Sequence, residues 1–107
     1  MVKSDDYQGR VDAVFRRLEH SLEVFDPDEL DYSTSDGVLR FDFADGTRFV
    51  LNRQSAVEEL LFAAGVEAWH FAWDGARGVW RDVKRGDELF ARLASSVAAK
   101  LGRAVGL

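Results

Sequence analysis

Three Asp-Gly dipeptides, at 36–37, 45–46 and 74–75, interrupt a stretch in which apolar residues recur at every second position. Asp-Gly tolerates the left-handed backbone of tight hairpin turns, and a two-residue apolar period turns one face of each strand into a core. Leu39, Phe41 and Phe43 alternate with Val38, Arg40 and Asp42. Phe49 and Leu51 continue the inward set, with Arg48, Val50 and Asn52 outward. Trp69, Phe71 and Trp73 alternate with His70, Ala72 and Asp74, and a shorter strand follows at residues 79–83. Residues 56–64 read two ways. Glu58, Glu59, Leu60 and Leu61 are good helix formers, yet continuity of the sheet can recruit them as a strand.

Helical periodicity frames this region. Tyr7, Val11, Val14, Phe15, Leu18, Leu22 and Phe25 form one stripe, which predicts a helix over residues 4–25. Ser4 is its expected N-cap, with Asp5 and Asp6 favourable in the first turn. Pro27 biases Asp26 out of the helical region and ends it. A second helix is predicted over residues 87–101, capped by Asp87 and stopped by Gly102, with Leu89, Phe90, Leu93, Ala94, Val97 and Leu101 on its apolar face. The order helix, antiparallel strands, helix predicts a single α+β domain spanning residues 1–107. Two helices pack on one face of a twisted antiparallel sheet and leave the other face exposed.

At 107 residues, 47% hydrophobic, with eight Phe, three Trp and two Tyr, the chain has the material for one packed core. There is no Cys, hence no disulfide, thiolate metal site or Cys nucleophile. No segment approaches the roughly 20 apolar residues of a membrane span. The polar, acidic start does not read as a targeting peptide, so the expected location is the cytoplasm. Gly-rich phosphate loops and nucleophile elbows are also missing, and Ser33, Ser35, Ser55, Ser95 and Ser96 have no evident His partner, so no enzyme is expected.

The net charge of −5 is unevenly placed: residues 1–45 carry 12 acids and 5 bases, residues 46–107 carry 7 acids and 9 bases. Glu19, Glu23, Asp26, Asp28, Glu29 and Asp31 follow one another with no Lys or Arg among them. Asp12, Arg16, Glu19, Glu23 and Asp26 share a helix face that turns acidic at its C-terminal end, where the helix dipole prefers cations. Crowded carboxylates of this kind await a bound cation or a basic partner, and nucleic acid is disfavoured. Exposed carboxylates suit hard ions such as iron, Mn, Ca or Mg; Glu19 and Glu23, one turn apart, can share one, and His20 adds a nitrogen. The bland alternative is a solubilising face. Arg77, Arg81, Lys84 and Arg85 form a small basic patch that reads as a solvated edge. Trp69, Trp73 and Trp80 read as core, Trp80 being the one expected to be partly exposed.

Residues 37–54 (GVLRFDFADGTRFVLNRQ), 69–75 (WHFAWDG) and 79–93 (VWRDVKRGDELFARL), together with the acidic first helix, resemble the frataxin family in its bacterial CyaY branch. The resemblance spans roughly residues 11–102. It implies an α–β sandwich that binds iron weakly and works in iron–sulfur cluster assembly. Such a protein contacts the cysteine desulfurase and scaffold proteins, donating iron or restraining the assembly rate, as a monomer when metal-free. The family's iron ridge maps onto Glu19, Glu23, Asp26, Asp28, Glu29 and Asp31. Its partner surface maps onto Asn52, Gln54, Leu61 and His70. Two departures stand out: Glu19 and Glu23 are followed by His20 and Val24 rather than by second acids, and Ala56 and Leu61 occupy places where the family usually has Pro and Trp. A second functional expectation is a metal-free interaction module whose acidic ridge binds a basic partner. A third is a small enzyme using the ridge carboxylates with a metal.

Overall fold

The computed structural model describes residues 3–107, with side chains from residue 6 onward. The elements are α1 (Lys3–Leu22), β1 (Leu30–Ser35), β2 (Val38–Phe43), β3 (Arg48–Gln54), a 3₁₀ turn (Ser55–Val57), β4 (Glu59–Ala64), β5 (Glu67–Asp74), β6 (Val79–Asp82) and α2 (Leu89–Leu101). The six strands form one antiparallel meander in chain order. Both helices cover the same face.

The register explains the core. Leu39, Leu51, Phe62 and Trp69 lie opposite one another in turn, as do Phe41 and Phe49, and Leu60 and Phe71. These side chains are buried, and they meet Val11, Val14 and Leu18 of α1 and Leu89, Leu93 and Val97 of α2. Each fully buried Leu or Phe contributes about 1.5–3 kcal/mol by leaving water. The same register settles the ambiguous segment. β4 is central, with β3 and β5 on either side, so Leu60 and Phe62 fill the core only as a strand.

The Asp36-Gly37 turn has positive φ at both residues (50° and 76°), which closes β1 and β2 with two residues. Gly37 has a second constraint: an added Cβ would come within 2.9 Å of the Arg53 guanidinium. At Asp74-Gly75 the reversal is longer than a two-residue hairpin. The left-handed position falls on Gly78, whose N–H bonds the Asp74 carbonyl at 2.8 Å.

Both helix ends differ from expectation. α1 stops at Leu22, before Pro27 exerts any effect, because the Phe25 N–H closes a turn onto the Leu22 carbonyl (3.2 Å) and Phe25 packs on the core. Ser4 falls inside α1 rather than before it, and any side-chain cap it makes lies outside the described residues, as does the side chain of Asp5. For α2 the cap is Glu88, not Asp87: its carboxylate accepts from the N–H groups of Phe90 and Ala91. Asp87 instead holds Arg92 at 2.9 Å. Gly102 closes α2 in the left-handed conformation, as expected.

Trp80 is buried (3% exposed) and packs edge-on against both Tyr7 and Trp73. The partly exposed tryptophan is Trp73, because it lies toward the end of β5, where only the short β6 continues the sheet.

Candidate functional site

The acidic stretch maps onto one end of the molecule, where the last turn of α1 lies along the edge strand β1. Period-two alternation turns Leu30, Tyr32 and Thr34 toward the helix. Glu19 accepts a hydrogen bond from the Thr34 hydroxyl (3.2 Å) and Glu23 from the Tyr32 hydroxyl (3.4 Å). Glu19, in the last turn of α1, and Glu23, in the turn just past its end rather than on the expected helix face, are thereby tied to one strand edge. Neither forms an ion pair among the described residues. Burial, followed by the charges of Glu23 and Glu19, a hydrogen bond to Glu23 and the charge of Asp31, pushes the Tyr32 hydroxyl above its ordinary range. His20 is exposed beside Glu19 on α1.

The other predicted ridge residues are placed differently. Asp26 accepts the backbone N–H of Asp28 (2.9 Å), and its carbonyl takes the N–H groups of Glu29 and Leu30, so it shapes the turn into β1. Asp28 is exposed in that turn. Glu29 is already compensated. Arg103, just past α2, grips it through two N–H donors at 2.5 and 2.7 Å. That pair holds the Glu29 carboxyl below the usual glutamate range and raises Arg103 in turn. The expectation that the cluster has no basic partner within the chain therefore fails at Glu29. Asp31 alternates to the opposite sheet face, across from Asp42, which is bound by Arg48 at 2.6 Å.

No group of three or more His, Asp or Glu side chains among the described residues is close enough to form a preformed metal cage. What the ridge provides is hard oxygen donors on a rigid edge. Such donors fit iron and other hard cations, with modest affinity and little geometric selection.

The second predicted site comes together on the open face of the sheet. The register places Asn52 opposite Leu61, and Leu61 opposite His70, so the three form one cross-strand row, extended by Val38 beyond Asn52. Gln54 lies opposite Glu59 in the next outward row. The His70 Nδ1 is 3.4 Å from a Glu59 carboxylate oxygen. Beneath this row, buried Asp82 accepts the N–H groups of His70 (3.1 Å), Lys84 (2.9 Å) and Arg85 (2.7 Å). Burial opposes its charge, but these three backbone donors outweigh it and lower its pKa.

The basic patch is largely compensated locally. Arg77 and Arg81 face Asp74 at 3.9 and 3.8 Å, and Arg85 faces Glu67 at 3.4 Å. Four residues at the two sites lie outside the predicted set: Tyr32 and Thr34, which orient the ridge acids, Arg103, which neutralises Glu29, and Glu59 beside His70. Alternation marks the face that Tyr32, Thr34 and Glu59 occupy. Nothing local points to Arg103.

A family model described as a frataxin-like domain matches residues 1–103. An iron–sulfur cluster assembly protein CyaY of Dechloromonas aromatica is 33% identical over 103 residues, covering 95% of each chain. One from Paraburkholderia phymatum is 31% identical over 104 residues, covering 97% of this chain and 96% of the relative. Among solved structures, a frataxin from Psychromonas ingrahamii superposes with a TM-score of 0.87 at 20% identity, covering 98% of this chain and 97% of that one. With the two-helix sandwich, the acidic α1–β1 end and these similarities together, the chain belongs to the frataxin-like family.

Proposed function

We propose that this chain is an iron-binding accessory protein of iron–sulfur cluster assembly, the process named in its CyaY relatives. It acts by binding rather than catalysis. Iron is its cargo, held weakly at the α1–β1 edge, and the cysteine desulfurase is its partner. The observation that carries the reading is the pair Glu19 and Glu23. Both are tied to β1 through Thr34 and Tyr32 while lacking a basic partner among the described residues. The row Asn52, Leu61, His70 on the open sheet face supplies shorter-range contacts to the partner. Steering by the ridge is screened over about 10 Å at 0.1 M salt, so the complex weakens as salt rises.

The test is an anaerobic NMR titration with Fe(II), repeated with the Glu19→Lys, Glu23→Lys double variant. The parent loses or shifts amide signals across residues 19–31, and the double variant does not. Iron effects that survive in the double variant would remove Glu19 and Glu23 from the site.

The Glu29–Arg103 pair favours a second reading, in which the ridge serves a basic protein surface and takes no metal. Within this chain a ridge carboxylate already accepts a guanidinium. No amide response to Fe(II) below millimolar concentration, together with salt-sensitive capture of the desulfurase, selects that reading.

A further inference from the structure

Away from both sites, α1, the β5–β6 hairpin and the start of α2 line an open cavity of about 410 Å³. Its size is within the roughly 300–1,000 Å³ usual for small-molecule sites. Trp73, Trp80, Phe90 and Val14 give it aromatic and aliphatic walls. Arg10 and Arg17, two turns apart on α1, also line it. The Arg10 guanidinium lies 4.8 Å from the Trp73 ring centre and that of Arg17 3.6 Å from Phe90. Arg10 forms no ion pair with a carboxylate among the described residues, whereas Arg17 donates to the main-chain oxygen of Leu107, the last residue of the sequence.

A guanidinium stacked on a ring still has its N–H donors in its own plane, directed outward from the edge. Arg17 engages one of them with the main-chain oxygen of Leu107 at 2.8 Å and keeps the others free for a ligand. The carboxylate in the wall, Glu88, is turned to the N–H groups of Phe90 and Ala91 at the start of α2. The result is a cationic rim over an apolar floor, in a chain whose net charge is −5.

We propose that this cavity binds a small organic anion with a planar apolar body, of the aryl carboxylate class. A neutral aromatic uses only the floor, and a small inorganic anion uses only the rim. A ligand joining both uses the Trp73 and Phe90 surroundings for its ring and the Arg10 and Arg17 edges for its carboxylate.

The probe is 2-naphthoate, titrated against the full chain by amide NMR and tryptophan fluorescence, with 2-naphthalenemethanol and acetate as the neutral and body-less controls. Naphthoate binds saturably, with amide shifts centred on residues 10–17, 73–80 and 88–90. The parent binds the neutral alcohol, and Arg10→Gln binds naphthoate, each roughly tenfold more weakly, the loss expected for one charge-assisted hydrogen bond. Ala13→Leu, a helix-compatible change in the cavity wall, blocks binding while preserving the amide spectrum elsewhere. Equal affinity for acid and alcohol, unchanged binding in Ala13→Leu, or shifts centred outside the cavity would overturn the assignment. If Arg10→Gln does not fold, the acid–alcohol comparison and Ala13→Leu decide it.

Discussion

Arg103 and Glu29 are 74 residues apart in sequence and joined by two N–H···O bonds. The pair pins the segment after α2 to the turn before β1, and it removes one charge from the acidic edge. Glu29 has a depressed pKa in the folded chain, caused first by the hydrogen bond from Arg103. Its contribution to stability is therefore fully present above the unfolded glutamate value, about 4.3, and is lost as pH falls through the lower folded value. In Arg103→Gln the carboxyl of Glu29 titrates higher, and that part of the acid-side loss disappears from the stability profile. Carboxyl-detected NMR reads the first change and urea unfolding from pH 3 to pH 7 the second. A Glu29 titration unaltered in the variant would show that the pair does not persist in solution.

The Tyr32 hydroxyl is a built-in reporter for the ridge. Its pKa is raised above the usual 10 by burial, then by the charges of Glu23 and Glu19. A cation lodged between those two carboxylates cancels their field and brings the Tyr32 titration down. Tyr7 is raised by burial too, but it donates to the Glu59 carbonyl at 2.8 Å, away from the ridge, so it stays unchanged as an internal control. Tyrosine-labelled NMR at alkaline pH, with and without millimolar Ca²⁺, gives the comparison. Coincident Tyr32 curves mean that no ion sits between Glu19 and Glu23 at that concentration.

Much of the fold is legible because its determinants are local. The alternation through Leu39, Phe41 and Phe43 has one solution as a half-buried strand, and Asp36-Gly37 adopts the two left-handed conformations its turn needs. Helix ends are less legible. Pro27 disfavours helix at Asp26 but does not reveal that Phe25 will turn inward and stop α1 at Leu22. The exposure of Trp73 rather than Trp80 depends on how short β6 is, and strand length is set by pairing, not by pattern. At the sites, a period of two is enough to group Asn52, Leu61 and His70 on one face, and the meander then makes them neighbours. The ridge is harder: Asp31 alternates away from Glu19 and Glu23, and Arg103 arrives from the far end of the chain. Clustering along a sequence is not clustering in space when a strand begins in the middle of the cluster.

Leu61 is half-buried on the open sheet face between Asn52 and His70. Its side chain does not enter the core, so Leu61→Glu loses only a partial burial and costs about 1 kcal/mol of stability. If the row contacts the desulfurase, the same change places a charge in the centre of that contact and weakens the complex at least about tenfold. Calorimetric titration against the desulfurase, with thermal unfolding alongside, separates the two effects. Parent-like affinity in Leu61→Glu would move the partner surface away from this row.

Asp82 connects that face to α2. Its two carboxylate oxygens take three backbone N–H groups, from His70, Lys84 and Arg85, and its own N–H bonds the Asp87 carbonyl at 2.8 Å. Asp82→Ala leaves those donors without their acceptor in a buried setting, at about 2–4 kcal/mol from hydrogen bonds to a charged group and their desolvation. The folded pKa is lowered: burial raises it, but the three donors outweigh burial. This stability is therefore present above the unfolded aspartate value, about 3.9, and is lost as pH falls through the folded value. Asp82→Asn keeps one carbonyl acceptor and loses the charge, so it falls between parent and Asp82→Ala at pH 7, and its deficit shrinks in acid as the parent's carboxylate protonates. Because His70 is one of the three donors, the variant also shifts the amide signals of the Asn52–Leu61–His70 row. Urea unfolding at pH 7 and pH 3 with one amide spectrum of each variant checks all three outcomes, and a deficit independent of pH would mean that the charge of Asp82 is not what those N–H groups hold.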